Sequence, residues 1–157
     1  MIKEIYFNRI FGPGWPPLAV LEPYFIAPKG REWFYAGGND SAGLRVKGVG
    51  DTETLSYAEG RIDHDLAMWG NPDNGALLIY SRLGGGQRVG WASKGDMTRI
   101  REWVRSLHDD PLPVGLFIPF PKAWLAVKEF METEGQLPTS IEWVKCEDLP
   151  PNTFPDP

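Results

Sequence analysis

The sequence predicts an α+β fold, a mainly antiparallel twisted sheet with two C-terminal helices packed on one face. Three observations carry this. Period-two apolar segments fill residues 62–93, separated by Gly-rich and Asn-Gly turns. Helical-period stripes appear only after residue 96, and a further short strand closes the pattern. The 157 residues hold 18 Gly and 15 Pro yet also seven Trp, with 13% aromatic content. Turn formers at that density exclude a long coiled coil. A 42% hydrophobic share against 24% charge excludes disorder.

Residues 3–9 read as a first strand, and residues 11–17 (FGPGWPP) as a turn. Residues 18–27 are expected to be irregular, because Pro23 stops a helix begun after Pro17. Residues 32–38 and 42–50 are short strands around the turn GGNDS. Residues 52–93 read as a meander. It begins with TLSYA and continues into a strand where Ile62, His64, Leu66 and Met68 alternate with Asp63, Asp65 and Ala67, the acids facing water. NPDNG turns that strand into ALLIYSR, which pairs through LGGGQ with RVGWAS.

Asp96 is placed to cap a first helix, whose stripe is Ile100, Trp103, Val104 and Leu107. Pro119 and Pro121 introduce a second, with Ala123, Trp124, Val127, Phe130 and Met131 inward and Gly135 at its C-terminal turn. IEWVKC is the last strand. The whole chain, 1–157, reads as one domain: N-terminal strands and a variable part over 1–74, a core over 75–145, and an extended tail over 146–157.

One cysteine, Cys146, excludes a disulfide framework and a cysteine zinc site. Two histidines leave little for a histidine metal cage, and no cofactor motif is present. With no signal-like run and no long apolar segment, a cytoplasmic protein is expected. His64 stands between Asp63 and Asp65, but strand neighbours point to opposite faces, so a core or rim histidine is the simpler account than a general base. His108 is read as the end of the first helix. There is no P-loop and no nucleophile elbow.

The net charge of −5 is concentrated. Residues 51–75 hold six acids against Arg61 alone, while the remainder is balanced. This argues against binding nucleic acid and favours a basic protein partner. The candidate contact residues are Asp51, Glu53, Glu59, Asp63, Asp65 and Asp73, with Tyr57 or Trp69 as aromatic anchor.

An ordered pattern runs through the C-terminal half: Gly75-Ala76-Leu77, then Gly90-Trp91-Ala92-Ser93, then Phe117-Ile118-Pro119, Glu129-Phe130, and finally Gly135-Gln136-Leu137-Pro138 before Ile141-Glu142-Trp143. It resembles the bacterial immunity proteins encoded beside polymorphic toxins, notably deaminase-type toxins. The resemblance covers residues 75–145 and implies a non-enzymatic inhibitor that binds the C-terminal domain of a cognate toxin, and the acidic segment 51–75 is expected to occlude that domain's active site. It supplies no catalytic residues and no membrane or nucleic-acid partner, and leaves the oligomeric state open. An adaptor of a secretion system and a small hydrolase using Asp63, His64 and Asp65 are the other readings.

Overall fold

The computed structural model describes residues 1–33 and 39–157. The strand expected over residues 32–38 lies largely outside them. Ten strands and three α-helical segments form the described chain: β1 (Ile2–Phe7), β2 (Ile10–Pro13), α1 (Leu18–Leu21), α2 (Pro23–Ile26), β3 (Ser41–Lys47), β4 (Ile62–Asn71), β5 (Gly75–Gly84), β6 (Gln87–Ser93), β7 (Trp103–Arg105), β8 (Pro111–Pro113), β9 (Phe117–Ile118), α3 (Phe120–Glu132) and β10 (Trp143–Lys145). The main sheet runs β10-β6-β5-β4-β3-β1-β2, with β9 added against β5. Every pairing in it is antiparallel. The α+β expectation holds in this form: a mostly antiparallel sheet with few helices.

The meander β4-β5-β6 stands as the alternation predicts. Its two turns use the residues expected of them. Gly75 closes the first at φ +98°, and Gly85 and Gly86 close the second at +59° and +76°.

The sheet has two unlike faces. On the first, Phe7, Leu44, Leu66, Met68 and Leu78 meet Ala123, Trp124, Val127 and Phe130 of α3. The α3 stripe is as its spacing predicts, and Pro121 occupies the first turn, where no N–H is needed. Trp33 sits at the centre of an aromatic cage, 5.0 Å from Phe7, 5.1 Å from Phe25 and 5.4 Å from Phe120 between ring centroids. Gly70 makes room for it, since a Cβ there would lie 2.7 Å from the indole.

Only half of the second face is covered. Leu77, Ala92, Leu112, Leu116 and Phe117 form a smaller core, with Trp69, Ile79 and Val144 against it. The half nearer the β5–β6 turn carries Glu4, Arg45, Lys47, Asp63, Asp65, Ser81 and Arg88 by strand alternation and register.

Several expectations fail. Only one of the two C-terminal helices exists. Asp96 does accept a hydrogen bond from the Thr98 N–H, at 3.1 Å, but it caps a single 3-10 turn, Met97–Arg99. Trp103–Arg105 then pairs with Pro111–Pro113 as a two-stranded ribbon. Trp103 and Val104 suit a strand as well as a helix, and packing on the smaller core decides. The stripe residue Leu107 is left 67% exposed. Consequently His108 ends no helix; it sits in the ribbon's turn, its Nε2 3.2 Å from Asn39 Oδ1.

Residues 18–26 form two helical turns instead of irregular chain, because Pro23 restarts rather than ends the helix by taking its first position. The stretch Ile10–Pro13 is an edge strand, where a proline costs no ladder bond. TLSYA forms turns, not a strand. The tail is anchored: Trp103 Nε1 donates to Thr153 O at 2.9 Å and Arg101 to Pro151 O at 2.8 Å.

Candidate functional site

Residues 48–61 form a compact acidic loop at the uncovered half of the sheet. Its first turn requires glycine. Gly48 lies at φ +74°, and a Cβ there would fall 2.2 Å from the Glu53 backbone nitrogen. Thr52 Oγ1 donates to Val49 O at 2.9 Å and accepts from the Ile62 N–H at 3.2 Å, tying the loop to the start of β4. At its far end the Ser56 N–H donates to Glu59 Oε1 at 2.9 Å and the Glu59 N–H to Ser56 Oγ at 3.2 Å. This reciprocal pair is a capping box, and it holds the Glu59 carboxyl below its ordinary range.

Asp63 joins loop to sheet. Its Oδ1 accepts from the Gly48 N–H at 2.9 Å and from Arg61 Nε at 3.0 Å. Its Oδ2 accepts from Tyr57 OH at 2.6 Å and from the second Arg61 nitrogen at 3.3 Å. Burial pushes this carboxyl up, but the bonds from Arg61, Tyr57 and Gly48 outweigh it and hold it below the usual range. The same bond to Asp63 raises the Tyr57 phenol. Arg61 also stacks over the Tyr57 ring at 5.1 Å. The expectation that Asp63 faces water is therefore corrected: it is 8% exposed, because it supplies the acceptors the loop needs.

Asp65 is placed otherwise. It is half-buried, with Oδ1 3.6 Å from Arg45 Nε. Burial pushes its carboxyl up, against the pull of Arg45 and Arg88. The neighbouring Tyr6 phenol is raised by burial and by Asp65.

The predicted contact residues thus separate. Asp51, Glu53, Tyr57, Glu59, Asp63 and Asp65 share the loop end of the sheet. Asp51 and Glu53 lie 3.3 and 3.0 Å from the Met1 amine, which holds the Glu53 carboxyl down. Trp69 is on the same face as Asp63 and Asp65, but it packs on the smaller core and lines a cavity shared with Phe154 and Pro155 of the tail. Asp73 lies in the β4–β5 turn, at the opposite end of a ten-residue strand from Asp63.

His64 points to the other face. Its Nδ1 lies 2.7 Å from Gly135 O and 3.0 Å from Tyr80 OH, so the ring donates to that carbonyl and is held below its ordinary pKa by burial. Asp63, His64 and Asp65 therefore do not converge on one point. Among the described residues no group of three or more His, Cys, Asp or Glu is positioned to hold a metal. No helix among them is long and apolar enough to cross a membrane.

Sequence reasoning missed Tyr6, Arg45, Ser81 and Arg88. Their alternation within single strands is readable, but only the register Glu4–Arg45–Asp65–Ser81 and Lys47–Asp63–Leu83–Arg88 brings them together.

The model of the immunity protein Imm1 family matches residues 7–145. The chain belongs to the Imm1 family of immunity proteins. The match extends over β2–β4 and begins at the last residue of β1, where the ordered C-terminal pattern did not reach. Immunity proteins neutralise a toxin by binding it and are generally not enzymes, so membership makes a toxin protein the partner. No curated protein and no solved structure matches the chain.

Proposed function

We propose that this Imm1 protein neutralises a deaminase-type toxin domain that acts on nucleic acid, in the bacterial cytoplasm, by occluding its active site. The surface proposed to do so is the acidic loop 48–61 with the uncovered half of the sheet beside it. One observation carries this reading: the loop is sewn to β4 through Asp63 before any partner arrives. A surface already ordered loses little conformational freedom on binding. A domain that handles nucleic acid has a basic cleft, and exposed carboxylates such as Asp51 and Glu59 speed its capture.

Asp51, Glu53, Tyr57, Glu59 and Asp65 are the proposed contacts, with Asp63 holding them in place. Asp73 and Trp69 lie outside this surface. The whole chain acts as one domain in this reading, with the tail 146–157 as part of the scaffold.

Co-expression with the C-terminal toxin domain encoded in the neighbouring reading frame tests the proposal. Growth rescue and co-purification are expected. A chain that neither rescues growth nor co-purifies with that domain refutes it. Reversing Asp51 and Glu59 together should slow association and flatten its salt dependence; an unchanged rate removes the loop from the interface.

A further inference from the structure

A cavity of about 170 Å³ opens on the uncovered half of the sheet, between Arg45, Tyr57, Asp63, Asp65, Ser81 and Arg88. Its charges do not balance. Asp63 is matched within the chain by Arg61, the Tyr57 hydroxyl and the Gly48 N–H. That leaves Asp65 as the one other carboxylate lining the cavity, beside two guanidinium groups. Arg45 reaches it only at 3.6 Å through Nε. Arg88 has no hydrogen-bond or ion-pair partner among the described residues. A second observation is independent of charge: Ser81 is 8% exposed, lines the cavity, and its hydroxyl has no partner among the described residues. That hydroxyl is open to the cavity and free to donate to a group that enters it.

We infer that this cavity receives one carboxylate of the toxin, an Asp or Glu side chain, bound between the Arg45 and Arg88 guanidinium groups with the Ser81 hydroxyl as third donor. Guanidinium groups offer paired N–H donors that fit a carboxylate, and a hydroxyl completes its lone-pair set. A basic side chain would meet two arginines to reach Asp65 alone. The inference rests on the toxin-neutralising reading. It adds that the contact is bipolar: carboxylates of loop 48–61 face basic groups of the toxin, and one acidic toxin residue enters the sheet pocket.

The experiment measures affinity for the neighbouring toxin domain in Arg88→Ala, Arg88→Glu and Ser81→Ala variants, with Lys122→Glu on the exposed side of α3 as control. Arg88 is exposed, so its substitution spares the fold, and the thermal midpoint of each variant checks this. Arg88→Glu should weaken binding about tenfold or more, Ser81→Ala by a smaller factor, and Lys122→Glu not at all. Changing one acidic toxin residue to Arg should restore affinity to Arg88→Glu alone. A wild-type chain that binds the toxin beside an equally tight Arg88→Glu variant overturns the pocket and leaves the toxin reading standing. A wild-type chain that fails to bind overturns both.

Discussion

The Tyr57 hydroxyl donates to Asp63 at 2.6 Å, so an exposed aromatic proposed as a toxin contact is also the latch that holds the acidic loop on the sheet. Recognition and loop order are therefore linked through one hydrogen bond. Tyr57→Phe should leave the ring's contact area intact while releasing the latch. Association with the toxin domain should slow and amide exchange in residues 49–60 should accelerate. Unchanged exchange would show that the remaining Asp63 bonds suffice.

Asp63→Ala removes the acceptor for three donors, two of them side chains and one the Gly48 N–H. The cost expected is about 2–4 kcal/mol in urea unfolding. Asp63→Asn keeps one acceptor oxygen and should cost less. A loss below about 1 kcal/mol for the alanine variant would contradict the role given to this carboxylate.

Asp65 should behave in the opposite way. Its folded-state pKa is raised above 3.8, chiefly by burial, so the folded protein resists its ionisation and loses stability as pH rises through that range. Asp65→Asn is accordingly expected to equal or exceed the parent in stability at pH 7 while changing toxin binding, because Asp65 shares its cavity with Arg45 and Arg88. A charged group that a fold keeps at some cost to stability fits a recognition role. Lower stability with unchanged binding would reverse the assignment.

His64 sets a separate pH dependence. Its folded pKa lies below 6.5, first through burial and further through Arg82, with the Gly135 carbonyl acting the other way. The unfolded chain then takes up a proton before the folded one does. Stability conferred by neutral His64 is complete above pH 6.5 and falls as pH drops through the folded-state pKa. Unfolding free energy measured between pH 7.5 and pH 5 should decline, and His64→Gln should flatten that slope. An equal slope in both proteins would place the titration elsewhere.

Trp69 and Asp73 provide the opposite control. Trp69→Ala should cost about 2 kcal/mol of stability by removing a partly buried ring from the smaller core. Asp73→Lys should change neither stability nor toxin affinity. A large binding loss from Asp73→Lys would move the interface to the far end of β4.

The legible parts of this chain are those in which local pattern and tertiary packing agree. The α3 stripe, the Gly85–Gly86 turn and the alternation of β4 are each readable from a few neighbouring residues, and each is present. Residues 100–107 show where such reading ends. Ile100, Trp103, Val104 and Leu107 satisfy a helical spacing, yet the chain pairs Trp103–Arg105 with Pro111–Pro113 across a turn held by Ser106 Oγ. Charge misleads for a related reason. The acids of residues 51–75 are adjacent in sequence, but Asp63 is consumed internally and Asp73 lies at the other end of the sheet. Arg45 and Arg88, 43 positions apart in numbering, converge on one cavity through strand register alone.

Side-chain oxidative footprinting of the chain with and without the toxin domain tests the central claim most directly. The toxin is expected to protect Tyr6, partly exposed on the uncovered face of the sheet, and Tyr57 of the acidic loop. Trp103, Leu125 and Phe154, which lie away from it, should react as before. Protection confined to Leu125 of α3, or to Trp103 and Phe154, with Tyr6 and Tyr57 unchanged, would contradict the account.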